Sequence, residues 1–249
     1  MTPVRLAEIL GELLGTPPGE MPAPYGSWER EAVYASAVAL RSLSRRGATG
    51  RRSAATPRDA VREVAEEMAV RLRGRAGIAG VRVRPDGFLL IAVTRPGEIV
   101  GEIVRADGPP GGIVVAEPGR AGPDYPRTWD NPGFVVRYAH ARAVAVGCWA
   151  RDLGVPAAGF RPEALDDPYD LAVLRLLAEL PGRAASRAPG WETYAEHLAL
   201  AFHDAHEHAP AVPRADEPAG PVHTARLWLA MAVRSVLAQI LVTPLPDRL

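Results

Sequence analysis

The chain has 249 residues, enough for one large domain or two small ones, and its 47% hydrophobic content is that of a globular protein. Its 29 basic residues balance 29 acidic ones, so no global field draws it toward nucleic acid. Every basic residue is arginine, which excludes lysine Schiff-base chemistry and lysine phosphate loops; Cys148 alone excludes a disulfide framework or a cysteine zinc cluster, and no apolar run reaches the roughly 20 residues a bilayer requires.

In chain order, Leu6, Ile9, Leu10, Leu13 and Leu14 recur at helical spacing, broken by Arg5, Glu8 and Glu12. That pattern is an amphipathic helix and not a signal peptide, so a cytoplasmic protein is expected. Ala32 to Leu43 is predicted as a second helix. Arg41 to Arg58, with Arg45, Arg46, Arg51 and Arg52 among Gly, Ser and Thr, is predicted as a basic loop. A helix follows over Asp59 to Arg73, with Val61, Val64, Ala65, Met68 and Leu72 on one side. Val81–Val83 and Phe88–Val93 are predicted strands, joined by a turn at Pro85-Asp86-Gly87.

The Gly- and Pro-rich residues 105–130 are predicted as a linker, with room for one short strand at Ile113 to Ala116. From Asn131 onward the pattern is helical. Asn131-Pro132 and Asp167-Pro168 each offer a cap followed by a first-turn proline. Phe134, Tyr138, Ala141, Ala145 and Cys148 follow one face of the first of these helices. The second ends before Pro181, a third runs from Trp191 to His208, and a last one from Val222 to Leu241. The fold class expected is a small α+β domain over residues 1–104, the linker, and an all-α helical bundle over 131–249.

Asn131 to Arg142 reads Asn-Pro-Gly-Phe-Val-Val-Arg-Tyr-Ala-His-Ala-Arg. This closely resembles the opening of the anticodon-binding domain of arginyl-tRNA synthetases, of the DALR type. The resemblance continues through Leu171 to Pro181, Leu198 to His203, Ala225-Arg226-Leu227, Val233-Arg234 with Val236-Leu237, and the ending Pro246-Asp247-Arg248-Leu249. More loosely, Tyr34-Ala35-Ser36, Pro57-Arg58-Asp59 and Ile78 to Val93 resemble the small domain that precedes catalysis in the same enzymes. The resemblance implies an anticodon-binding-like helical bundle and tRNA as partner. It also implies that the large catalytic domain is missing: no His-x-Gly-His motif occurs, and without lysine the Lys-Met-Ser-Lys-Ser loop cannot exist. A non-catalytic paralogue with no cofactor is therefore expected. The alternatives are a protein-interaction module, or a subunit that binds anticodons in trans for a separate synthetase or tRNA-dependent enzyme. Neither membrane nor DNA is an expected partner.

The residues implied for tRNA are Arg137, Tyr138, His140 and Arg142, with Arg226, Arg234 and Arg248 from the end of the chain. Arg45, Arg46, Arg51 and Arg52 join them as a backbone-gripping loop. Tyr138 and Arg142 are i, i+4 neighbours, so a ring and a guanidinium share one helix face, as a base-stacking surface requires. The structural alternative turns Tyr138 and Ala141 to the core and pairs Arg142 with an acid of a neighbouring helix. Residues 131–249 hold eleven arginines against thirteen acids, so phosphate contact there needs clustered cations. His203 and His206 share a helix face, but with no cysteine and no His-Glu-x-x-His pattern no metal is expected. Glu66-Glu67 and Asp166-Asp167 are read as an exposed face and a cap, not as catalytic carboxylates.

Overall fold

The computed structural model describes residues 1–17, 19–46, 57–106, 115 and 117–249. It divides into two compact units, Met1–Arg95 and Pro96–Leu249. In the first, helix α1 (Pro3–Leu14) starts at Thr2, whose hydroxyl accepts from the Arg5 N–H at 3.3 Å. Strands β1 (Ala23–Tyr25), β2 (Val33–Ser36), β3 (Ile78–Val83) and β4 (Leu89–Val93) form an antiparallel sheet in the order β1-β2-β4-β3. Helix α3 (Pro57–Arg73) packs on β3 and against α2 (Val38–Arg46). Leu6, Tyr34, Leu72, Leu89 and Ile91 are fully buried. The turn before β4 holds Gly87 at φ 82°, where a Cβ would collide with Val61.

The helix expected over Ala32 to Leu43 is corrected at its start. Val33–Ser36 is a strand, paired with β1 on one side and β4 on the other. The run is apolar at almost every position, so periodicity cannot separate strand from helix; β-branched Val33 and aromatic Tyr34 favour the strand. The helix begins only after Ser36, whose Oγ accepts from the Val38 N–H at 3.3 Å. The basic loop is also shorter than expected. α2 continues through Arg46 and α3 already starts at Pro57, while Arg51 and Arg52 lie outside the described residues.

The second unit opens with α4 (Glu98–Ala106), a helix that the sequence reading did not anticipate. Its Ile99, Val100 and Ile103 are fully buried, and it packs on α9. The boundary between the units therefore precedes α4 instead of following residue 104. Helices α5 (Pro132–Asp152), α6 (Pro168–Leu177), α7 (Leu180–Ala184), α8 (Trp191–His208) and α9 (Pro221–Ile240) complete the unit. Pro181 sits in the first turn of α7; it starts a helix as well as excluding the previous one. α5 packs on α8 and α9, and α6 packs on α8. Leu174, Leu177, Leu198, Val233, Val236 and Leu237 are buried at the contacts. Each side chain removed from water there contributes about 2 kcal/mol. The molecule is thus mixed α and β in its first unit and helical in its second.

Part of the expected linker is tightly held. Gly119 N–H donates to Ile240 O at 2.8 Å and Gly119 O accepts from Val242 N–H at 2.9 Å. Ala121 N–H donates to Thr243 Oγ1, and Arg120 N–H to Glu192 Oε1. These long-range bonds fasten the segment to the end of α9 and the start of α8. Most of the strand expected at Ile113 to Ala116 lies outside the described residues.

Candidate nucleic-acid interface

Helix α5 starts where the sequence places it. Asn131 Oδ1 accepts from the Gly133 N–H at 3.0 Å, and Asn131 Nδ2 donates to Pro126 O at 2.8 Å. Gly133 allows the incoming chain to approach, because a Cβ there would collide with the carbonyls of Gly122 and Pro123. Arg137 secures the same approach, its Nη1 donating to Gly122 O at 2.6 Å and Gly133 O at 2.8 Å. The fastened segment delivers Trp129 onto the outer side of α5.

The buried face of α5 includes Val135, Val136, Ala139, His140, Ala141, Ala143, Val146 and Ala150. Phe134 and Tyr138 are only half-buried and Cys148 is exposed, so the aromatic stripe borders the core without facing it. Trp129 lies edge-on to Tyr138, with ring centroids 5.2 Å apart, and stacks on His203 of α8 at 4.3 Å. Phe134 fills the remaining side, 5.7 Å from Tyr138. The Arg142 guanidinium sits 5.0 Å from the Tyr138 ring centre and 5.6 Å from that of Trp149, and Nη2 donates to the Tyr138 hydroxyl. Its Nη1 lies 3.4 Å from His206 Nε2. Arginine can only donate, so this imidazole nitrogen accepts. Burial, and then the charge of Arg142, hold His206 below its ordinary pKa, which keeps the ring neutral and able to accept.

The face therefore sets the Arg142 cation against two rings, Tyr138 and Trp149, with Trp129 and Phe134 clustered on Tyr138. Trp129 and Trp149 remain 48% and 39% exposed, enough to offer ring surface to a ligand. No carboxylate among the described residues pairs with Arg137, Arg142 or the exposed Arg151. Of the structural alternative, Ala141 is buried and Tyr138 half-buried, but no acid among the described residues pairs with Arg142. His203 and His206 share a face, as their spacing requires, but they back the two indoles. Among the described residues no group of three or more His, Cys, Asp or Glu is arranged to hold a metal ion.

The other residues singled out in the sequence lie elsewhere. His140 is buried on the far side of α5, with its Nδ1 donating to Pro246 O at 3.0 Å; burial lowers its pKa. Arg226 is bound to Asp170, Nε to Oδ2, at 3.0 Å, and Asp170 has no solvent exposure. Arg234 is half-exposed and 3.9 Å from Asp247, and Arg248 is exposed near the chain end. Arg45 and Arg46 end α2 in the first unit. Trp129 and Trp149 were not singled out from sequence. Trp149 had a visible signal, since Tyr138, Arg142 and Trp149 are spaced i, i+4, i+11 along one helix face. Trp129 had none, because its position depends on bonds far along the chain.

Comparison with known proteins gives consistent relatives. An arginine–tRNA ligase of Clavibacter sepedonicus is 44% identical over 117 residues, which are 45% of this chain and 21% of the ligase. Those of Kineococcus radiotolerans and Frankia alni are 38% and 39% identical over 132 and 119 residues, covering 49% and 45% of the chain and 24% and 22% of the ligases. The chain thus spans about a fifth to a quarter of the length of the ligases it matches. No family model and no solved structure matches it. Among the described residues, no helix is long and apolar enough to cross a membrane. By sequence, the protein is arginyl-tRNA synthetase-like.

Proposed function

We propose that the protein binds tRNA through an anticodon-binding-like helical unit and does not activate an amino acid. The observation that carries this reading is the outer face of α5 and α8, where Arg142, with no carboxylate partner among the described residues, lies against the half-buried Tyr138 ring and the exposed Trp149 ring. Unpaired bases stack on such rings, and guanidinium groups hold phosphate. Similarity to arginine–tRNA ligases points to the same class of RNA. The absence of His-x-Gly-His and of any lysine in these residues supports a role without adenylate chemistry, which requires cations positioned around phosphate.

The test is retention of labelled total tRNA by the purified protein at two salt concentrations, followed by sequencing of the retained species. A defined set of tRNAs should be enriched. With two or three arginines able to meet phosphate, affinity should fall about tenfold between roughly 50 and 200 mM salt. No retention at the lower salt would refute the reading and direct the search to a protein partner.

A further inference from the structure

Met231, Arg234, Ser235 and Ala238 follow one another at helical spacing on α9, and all four keep contact with solvent. With Val104 of α4 and His140 of α5 they line an open groove of about 450 Å³, a size usual for small-molecule sites. The three helices belong to one unit, and both α4 and α5 pack on α9, so the core beneath fixes the walls. Val104, Met231 and Ala238 supply apolar surface. The polar groups differ in what they offer. Arg234 can only donate. Ser235 Oγ accepts from Gln239 Nε2 at 3.2 Å, which leaves the hydroxyl hydrogen to be donated. His140 is 4% exposed, and its Nδ1 donates to Pro246 O, so the lone pair is on Nε2. No described residue bonds to that nitrogen. Burial above all, and also the charge of Arg234, hold the imidazole below its ordinary pKa against the opposing effects of Pro246 and Asp247, so Nε2 stays an acceptor.

From this arrangement we infer that the groove between α4, α5 and α9 binds a small monocarboxylic acid that carries a hydroxyl group on an apolar body. Arg234 and Ser235 donate to the carboxylate, the guanidinium by paired N–H groups. The ligand hydroxyl donates to His140 Nε2, a buried acceptor that is costly to leave unfilled. The apolar body lies against Val104 and Met231, whose flexible thioether adapts to its shape. Charge selects the anion. Arg234 is the one arginine lining the groove among the described residues, and Asp247 stands 3.9 Å from it. One carboxylate matches that single cation, whereas a phosphate chain needs clustered cations. A hydroxyl also suits the site better than an ammonium, which would set a second cation beside Arg234. The inference does not rest on the tRNA reading, because the groove lies on the side of α5 away from Tyr138.

The experiment is a saturation-transfer NMR titration of the full chain with four probes: α-hydroxyisocaproate, β-hydroxyisocaproate, isocaproate and α-hydroxyisocaproamide. At least one hydroxy acid should bind saturably and about fivefold more tightly than isocaproate, which lacks the hydroxyl. The amide, which lacks the carboxylate, should bind at least about tenfold more weakly than its parent acid. Arg234→Ala should lower affinity for the hydroxy acid by a similar factor, and Ala238→Trp, which fills the groove, should abolish binding. Both positions are exposed on α9, so each variant should unfold at the same denaturant concentration as the parent. Absence of saturable binding by every probe, equal affinity for acid and amide, or unchanged binding by Arg234→Ala would overturn the inference. Displacement of the bound acid by total tRNA would also overturn it, since the groove would then belong to an RNA surface. Failure of tRNA to bind at all leaves these outcomes unaffected and refutes the tRNA reading alone.

Discussion

Where α9 meets the start of α6, and on the outer face of α5 with α8, the protein presents an arginine from a helix of the same unit. The two are used in opposite ways. Arg226 is 15% exposed and bonded to Asp170, which no solvent reaches. Arg142 touches two aromatic rings, a phenol and a neutral imidazole. An arginine already bound to a buried carboxylate has little positive charge left for a phosphate. One surrounded by neutral groups keeps its charge and holds it in a fixed direction. The resemblance to a family marks both residues for tRNA, and it is the local partner that separates them.

The largest expected effect comes from separating them by mutation. Arg226→Ala strands Asp170 inside the unit and should cost about 3 kcal/mol in urea unfolding. The salt dependence of tRNA binding by the protein that remains folded should be unchanged. Arg142→Ala should alter stability by less than about 1 kcal/mol, yet weaken tRNA about tenfold through loss of the cation and its support of Tyr138. If the two variants exchange these phenotypes, the distinction between a structural and a ligand-facing arginine is wrong.

Titration sharpens the same contrast. Burial raises Asp170 to about 6, outweighing the pull of Arg226 in the other direction. Its ordinary value is 3.8, so between about pH 4 and 6 the folded state binds more protons than the unfolded one. Stability from this group is therefore full below pH 4 and is lost as the pH rises, by up to about 3 kcal/mol. His140 and His206 act in the opposite sense: both are held below their usual pKa, so their contribution is present above about 6.5 and lost on acidification. Comparing Asp170→Asn with the parent cancels the histidines. The Asn variant should gain on the parent as the pH rises from about 4 to 7. A variant that instead loses ground over that range would mean that pairing with Arg226 outweighs burial.

Much of this architecture was legible where its cause is local. Asn131 and Pro132 announce α5 because a cap and a first-turn proline act within a few residues. The limits of α8 coincide with the expected Trp191 and His208. Legibility failed where the deciding partner is distant. Asp170 and Arg226 are 56 positions apart, and nothing near Arg226 says that a buried carboxylate awaits it. Residues 117–131 have the composition of a linker, but Gly119 bonds to the end of α9 and Asn131 to Pro126, and these bonds place Trp129 in the aromatic cluster. Val33–Ser36 failed for a third reason: a run apolar throughout suits either period, and only the neighbouring strands choose.

Arg234 gives the smallest expected effect and the finest test. It stands on α9 at the rim of an open groove with Val104, His140, Met231 and Ser235, on the side of α5 away from Tyr138. Its only carboxylate neighbour among the described residues is Asp247, 3.9 Å away, and both side chains are more than half-exposed. An ion pair of that kind contributes little, so Arg234→Ala should change stability by no more than about 0.5 kcal/mol. Affinity for tRNA should change by less than about twofold, because the cation lies off the face that carries the rings. Parallel titrations of the Arg142→Ala and Arg234→Ala variants against the same tRNA decide the matter. Comparable losses would mean that the RNA wraps around α5 to a second face, and that a guanidinium half open to water matters as much as one held between two rings.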